Sequence, residues 1–167
     1  MDPTPWLDRR QLGAWVRVAA LLELLPPALD RQLRRDANLT TFEYFVLAML
    51  SEAPARTLRM TELAQQTNAT LPRLSHVAQR LEGRGLVERV PCPEDRRATN
   101  ARLTDEGWAV VESTAPGHVA AVREHVIDAL TPEQLDQLSV IADAVLGRLD
   151  PDRSMAAMYR RYDDRPA

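Results

Sequence analysis

Two stretches concentrate side chains able to hold an anionic or hydrogen-bonding partner. Thr70, Arg73, Ser75, His76 and Arg80 fall close together, and Asp95-Arg96-Arg97 follows after a proline-punctuated run. A guanidinium is a planar fork of donors that matches the O6/N7 edge of guanine, or a phosphate, with two parallel hydrogen bonds. Hydroxyl and imidazole groups beside it can meet base edges or phosphates. An arginine at the tip of a turn suits a narrow A·T minor groove, where negative potential concentrates. Arg73 is therefore read as the base-reading arginine, Arg97 as the groove-inserting one and Arg96 as a phosphate contact.

Other chemistry is excluded. The chain has 21 basic residues and every one is arginine. Without lysine there is no Walker-A loop, no Schiff-base or pyridoxal-phosphate chemistry and no kinase strand lysine. The single cysteine, Cys92, excludes an intrachain disulfide or a multi-cysteine zinc ribbon. His76, His118 and His125 are the only histidines, too few and too scattered for a metal site without acidic helpers. No nucleophile–base pair is visible. Neither enzymatic activity nor a cofactor is expected.

The elements that must position these groups are mostly helical. Leu12, Trp15, Val16, Ala19 and Leu22 form a helical stripe over 8–25, and Pro26-Pro27 is expected to break or kink it before a second short helix to Arg35. Thr40-Thr41-Phe42-Glu43 reads as a capping box opening the next helix. Short helices are predicted from Met60 and, capped by Thr70, over 72–82. On the latter Leu74, Val77, Ala78 and Leu81 have core spacing. Leu86–Val90 and Thr99–Leu103 read as paired strands around the charged turn. Thr104 then starts a long helix, expected to bend at Pro116-Gly117. Thr131-Pro132-Glu133-Gln134 starts the last one. Helix-turn-helix followed by a charged hairpin is the outline of a winged helix-turn-helix, mainly α with a two- or three-stranded wing sheet.

Charge follows the same division. Residues 56–104 hold nine arginines against five acids, a net of +4, whereas the remainder carries −7. A basic middle between acidic flanks is the footprint of a nucleic-acid reader. The N-terminus has no basic region followed by an apolar run, and no uninterrupted apolar stretch approaches the ~18 residues of a membrane span. A soluble, cytoplasmic protein with no membrane partner is expected.

Three motifs together resemble the multiple-antibiotic-resistance regulator (MarR) family. They are Leu58-Arg59-Met60-Thr61-Glu62-Leu63-Ala64, then Arg80–Arg89, then Asp95-Arg96-Arg97 with Leu103-Thr104 and Gly107. The resemblance implies a homodimeric regulator binding double-stranded DNA, commonly a repressor released by a small aromatic or phenolic ligand. It makes 72–82 the recognition helix and Asp95 a brace that pairs an arginine to hold the wing. It also implies an effector pocket between the dimerisation helices and the DNA-binding lobe, which Trp15, Arg17, Trp108 and His118 would line. Asn68 replaces a common turn glycine, and Ala101 replaces a larger aliphatic residue, which would loosen the wing. The expected organisation is one domain over 1–167, with a DNA-binding lobe over 40–104, dimerisation helices over 6–35 and 105–150, and a tail over 151–167. Apolar stripes on the terminal helices exceed what a small lobe can bury, which also points to an intertwined dimer. Two alternatives remain at this stage: a winged-helix protein-interaction module, and a redox-responsive regulator in which Arg89, Arg96 and Arg97 activate Cys92.

Overall fold

The computed structural model describes residues 5–93, 95, 97–161 and 163. The order is α1 (Arg9–Ala37), α2 (Thr41–Ser51), β1 (Thr57–Arg59), α3 (Met60–Gln66), α4 (Leu71–Gly83), β2 (Val87–Pro91), β3 (Thr99–Leu103), α5 (Asp105–His125), α6 (Pro132–Leu149) and α7 (Ala156–Tyr159). The strands form one antiparallel sheet in the order β1-β3-β2. The expected winged helix-turn-helix is present, with the third strand supplied by β1.

The core lies in the middle of the chain. Leu47, Leu50, Leu63, Leu74 and Leu81 are fully buried between α2, α3 and α4. Ala101 on β3 is fully buried too, facing Leu58 of β1 on one side and Arg89 of β2 on the other. The small residue sits on a strand paired along both edges. Asn68 takes the left-handed conformation (φ 48°) that the turn between α3 and α4 requires. Gly107 has a different reason to be glycine: a Cβ there would lie 2.1 Å from the Leu86 carbonyl oxygen.

The break expected at Pro26-Pro27, with a separate short helix after it, is corrected. Helix α1 is continuous through Pro26-Pro27, and α5 through Pro116. Each proline removes one hydrogen bond to the carbonyl four residues back. These prolines all lie on exposed surface, where water can take the freed carbonyls. Unbroken α1 contains an 18-residue stretch of mean hydropathy 1.4, long and apolar enough to cross a membrane by length and composition, and none of it is buried within the chain.

Burial is uneven. In α1 only Gln32 and Leu33 are buried, both in its last turns, and α6 has no buried residue. Trp15, Leu21, Leu24, Val140, Ile141 and Leu149 are exposed, Leu149 to 74%. The tail makes contacts that periodicity does not foretell: Tyr159 Oη donates to Asp150 Oδ2 at 3.0 Å, and Arg161 pairs with Glu52 at 2.6 Å.

Candidate nucleic-acid interface

Helix α4 begins at Thr70, whose hydroxyl accepts from the Arg73 amide, and Pro72 sits in the first turn where a missing N–H costs little. Leu74, Val77, Ala78 and Leu81 point into the core as expected. At about 100° per residue, the opposite face presents Pro72, His76 and Gln79, all exposed. Ser75, half-buried, lies on the flank toward the hairpin, where it helps line a cleft of about 220 Å³ with Arg59, Thr61, Leu71, Arg89 and Arg97. Sequence reasoning assigned no DNA contact to Arg59, Thr61, Gln79 or Arg89. Gln79 was legible in principle, since it falls one turn after His76 on the same face.

The other flank of α4 holds arginines that turn back onto the protein. The Arg73 guanidinium lies 4.2 Å from the Phe42 ring centroid. Arg80 pairs at 2.9 Å with Glu43, whose side chain is only 9% exposed. That carboxylate also accepts from the amide and hydroxyl of Thr40 in the predicted capping box. A cation–π contact near the surface contributes about 0.5–1 kcal/mol, less than the roughly 1–3 kcal/mol of a bidentate guanine contact. Arg73 can therefore be drawn from Phe42 onto a base. Withdrawing Arg80 would leave a buried carboxylate short of its counter-charge, a cost of about 3 kcal/mol. Arg80 thus has a structural partner competing with the DNA contact expected of it.

In the hairpin turn, Asp95 Oδ1 accepts from the Arg97 main-chain N–H at 3.0 Å, and the Ala98 amide donates to the Asp95 carbonyl at 2.8 Å. Asp95 thus ties the main chain of the turn to itself. Arg97 is exposed, and its guanidinium has no ion pair or hydrogen bond among the described residues. Arg96 lies outside the described residues.

Several arginines counted in the basic middle are engaged within the chain. Arg56 pairs with Asp105, Arg89 with Glu82 and Arg102 with Glu88. The paired carboxyls of Glu82 and Glu88 are held below the usual range, in each case chiefly by the arginine hydrogen bond. The free positive charge is therefore narrower than the sequence count, and it falls at the wing tip.

The four expected effector residues are dispersed. Trp15 is 55% exposed, and Arg17 Nη1 donates to the Gly13 carbonyl on the outer part of α1. Trp108 lies under Arg56, 4.3 Å from ring centroid to guanidinium carbon. His118 sits ten residues further along α5, half-buried, with its ring 4.8 Å from that of Tyr44 and Nδ1 3.4 Å from Gln32 Oε1. Burial lowers its pKa. Gln32 and Trp15 are roughly 25 Å apart along α1 at about 1.5 Å per residue. The cavity that does form between α1 and α5 is about 360 Å³ and is lined by Arg31, Gln32, Asp36, Gly117 and His125 among others. It adjoins an apolar hollow of about 240 Å³ under Leu21, Leu24, Leu25 and Val126. Cys92 is buried, and its sulfur lies 3.4 Å from Arg59 Nη2. That is not the accessible setting expected of a redox sensor.

A helix-turn-helix with its second helix exposed beside an arginine-tipped hairpin defines the winged helix-turn-helix class of transcriptional regulators. Comparison with known proteins narrows this further. The MarR family model matches residues 37–98. The fold is similar to Sco3205 of Streptomyces coelicolor, a MarR family transcriptional regulator solved in complex with DNA. That similarity has a TM-score of 0.86 and 46% identity, covering 90% of this chain and 94% of that one. AbsC, a MarR family transcriptional regulator of the same organism, gives a TM-score of 0.84 and 37% identity, covering 87% and 98%. The transcriptional repressor YetL of Bacillus subtilis is 33% identical over 94 residues; the match spans 54% of this chain and 56% of that protein. The chain belongs to the MarR family. It is a transcriptional regulator, not an enzyme.

Proposed function

We propose that the chain is a sequence-specific DNA-binding repressor that grips a pseudo-palindromic operator as a homodimer in the cytoplasm and is released by a small ligand. The observation that carries this reading is the exposed face of α4 beside a wing whose Arg97 guanidinium is uncommitted among the described residues. Thr70, Arg73, Ser75 and His76 would enter the major groove, joined by Gln79. Arg97 would enter the adjacent minor groove, with Arg96 on phosphate. Asp95 would hold the turn. The relative Sco3205 was solved in complex with DNA, which supports DNA as the partner.

The lobe over 40–104 would bind DNA, and the helices within 6–35 and 105–150 would dimerise. The support is their bare apolar surface: Trp15, Leu21 and Leu24 on α1, and Val140, Ile141 and Val145 on α6. Such a surface is far more apolar than a monomer ordinarily shows water. A second subunit covering it also accounts for the hydropathy of α1 without a membrane. Two recognition helices about 34 Å apart would then read one DNA face. The α1–α5 cavity and its apolar neighbour, lined by the dimerisation helices themselves, are the places for an effector. Binding there would shift the dimer toward a spacing that does not fit DNA.

The test is selection of genomic fragments by the purified protein, followed by anisotropy titrations across salt. Arg97→Ala should weaken operator binding and reduce the steepness of the log–log salt slope by about 1. No sequence-specific enrichment would overturn the DNA-binding reading, and an unchanged affinity and slope would overturn the wing assignment.

A further inference from the structure

The C-terminal ends of α1 and α4 converge on one side chain. Arg84, the residue after α4, donates from Nη1 to the Asn38 carbonyl at 2.9 Å and from Nη2 to the Ala37 carbonyl at 3.1 Å. Asn38 is the left-handed cap of α1 (φ 52°), so these carbonyls lie at the negative end of that helix dipole. Arg84 also follows the last turn of α4, whose dipole is negative at the same end. The guanidinium carried by the end of α4 supplies the charge that opposes the negative end of α1. Its fork reaches adjacent carbonyls at once, which a lysine ammonium would hold less firmly as a point charge.

One turn earlier on the same flank, Arg80 reaches Glu43, the third residue of α2. Glu43 is tied to Thr40, and the next residue, Thr41, donates its amide to Asp30 of α1 at 2.9 Å. The α1–α2 corner is thus bound to the rear half of α4 at two points, by arginines four residues apart.

We propose that Arg84, with Arg80 as second point, is a positioning residue that clamps the recognition helix to the dimerisation helix and so sets the separation of the two recognition helices. This rests on the dimeric DNA-binding reading. Arg84 lies at the far end of α4 from its groove-entering first turn and acts through α1, not through a phosphate.

Two measurements on the full-length dimer decide it. In the first, wild type, Arg84→Ala and Arg84→Lys are titrated with the selected operator and with a copy carrying one extra base pair between half-sites. Arg84→Ala should lose roughly tenfold in affinity for the native spacing and most of its preference over the spaced copy, within the usual range of coupling between sites. The salt slope should not change, and Arg84→Lys should fall between. In the second, spin labels at Gln79→Cys in a Cys92→Ser background report the distance between subunits without DNA; one narrow distribution should broaden in Arg84→Ala. Should that variant not fold, Arg84→Lys and Arg84→Gln give the same two readouts. Unaltered spacing preference and distance width overturn the clamp, as does a monomer in solution. A shallower salt slope also overturns it, because it marks a phosphate contact. If wild type selects no operator, the DNA-binding reading fails, while the label distances still decide the clamp.

Discussion

Arg73, Arg80 and Arg84 share one flank of α4 yet meet different partners: an aromatic ring, a buried carboxylate and two main-chain carbonyls. The partner determines which arginine can be released to DNA. Arg73→Ala should cost about 1–3 kcal/mol of operator affinity and relax selectivity at one base position, measurable by titrating single-base operator variants. Arg80→Ala should instead lower the melting temperature, because Glu43 is left short of its counter-charge. His118 carries a prediction of a different kind. Burial lowers its pKa in the folded chain, so just below the ordinary value near 6.5 the unfolded chain binds more protons than the folded one. Stability contributed at neutral pH is then lost as pH falls from about 6.5 through the lowered folded value. Thermal melts of wild type and His118→Gln between about pH 7.5 and 5.5 should show the steeper fall in wild type. Equal slopes would exclude His118 as the source.

Elements are held here by close approaches as much as by periodicity. The hairpin reaches α5 through Thr104, whose hydroxyl donates to the Gly85 carbonyl at 2.7 Å and accepts from the Gly107 amide at 2.9 Å. Gly107 lets the first turn of α5 lie against the Leu86 carbonyl. Gly107→Ala should therefore destabilise by about 3 kcal/mol, the upper end for overpacking, because the obstacle is main chain and cannot swing aside. Chemical denaturation would show this as a lower midpoint. At Gly117 an added Cβ meets the Asp36 side chain at 2.8 Å, so a substitution there displaces a movable carboxylate. The prolines illustrate the converse. Pro26, Pro27 and Pro116 each remove a helical hydrogen bond, but solvent lies beside all three and the helices continue.

For the whole molecule the dominant feature is the unburied apolar surface of α1 and α6. An exposed leucine is ordinary, but two helices of them are not. Ile141→Asp, on the bare face of α6, should weaken self-association at least 100-fold, or about 3 kcal/mol. Sedimentation at micromolar concentration should show a shift from dimer toward monomer. Operator affinity should fall with it, because one subunit can hold only one half-site. A variant that stayed dimeric would show that this face of α6 lies outside the interface.

The sequence by itself determined the family, the helix-turn-helix, the hairpin and the core face of α4. These follow from local rules: capping boxes at Thr40 and Thr131, the i, i+3, i+4 spacing of Leu74, Val77, Ala78 and Leu81, and the left-handed turn at Asn68. It did not determine which arginines are free. Net charge counts Arg56, Arg89 and Arg102 alike with Arg97, whereas only tertiary contacts set Asp105, Glu82 and Glu88 beside the first three. Nor could spacing gather an effector site, because Trp15, Trp108 and His118 lie in different surroundings once α1 and α5 pack. Short-range steric and capping preferences act within a few residues and survive in the sequence pattern. The partner of a long charged side chain depends on groups brought near only by folding, as Arg84 and Ala37 are across 47 positions.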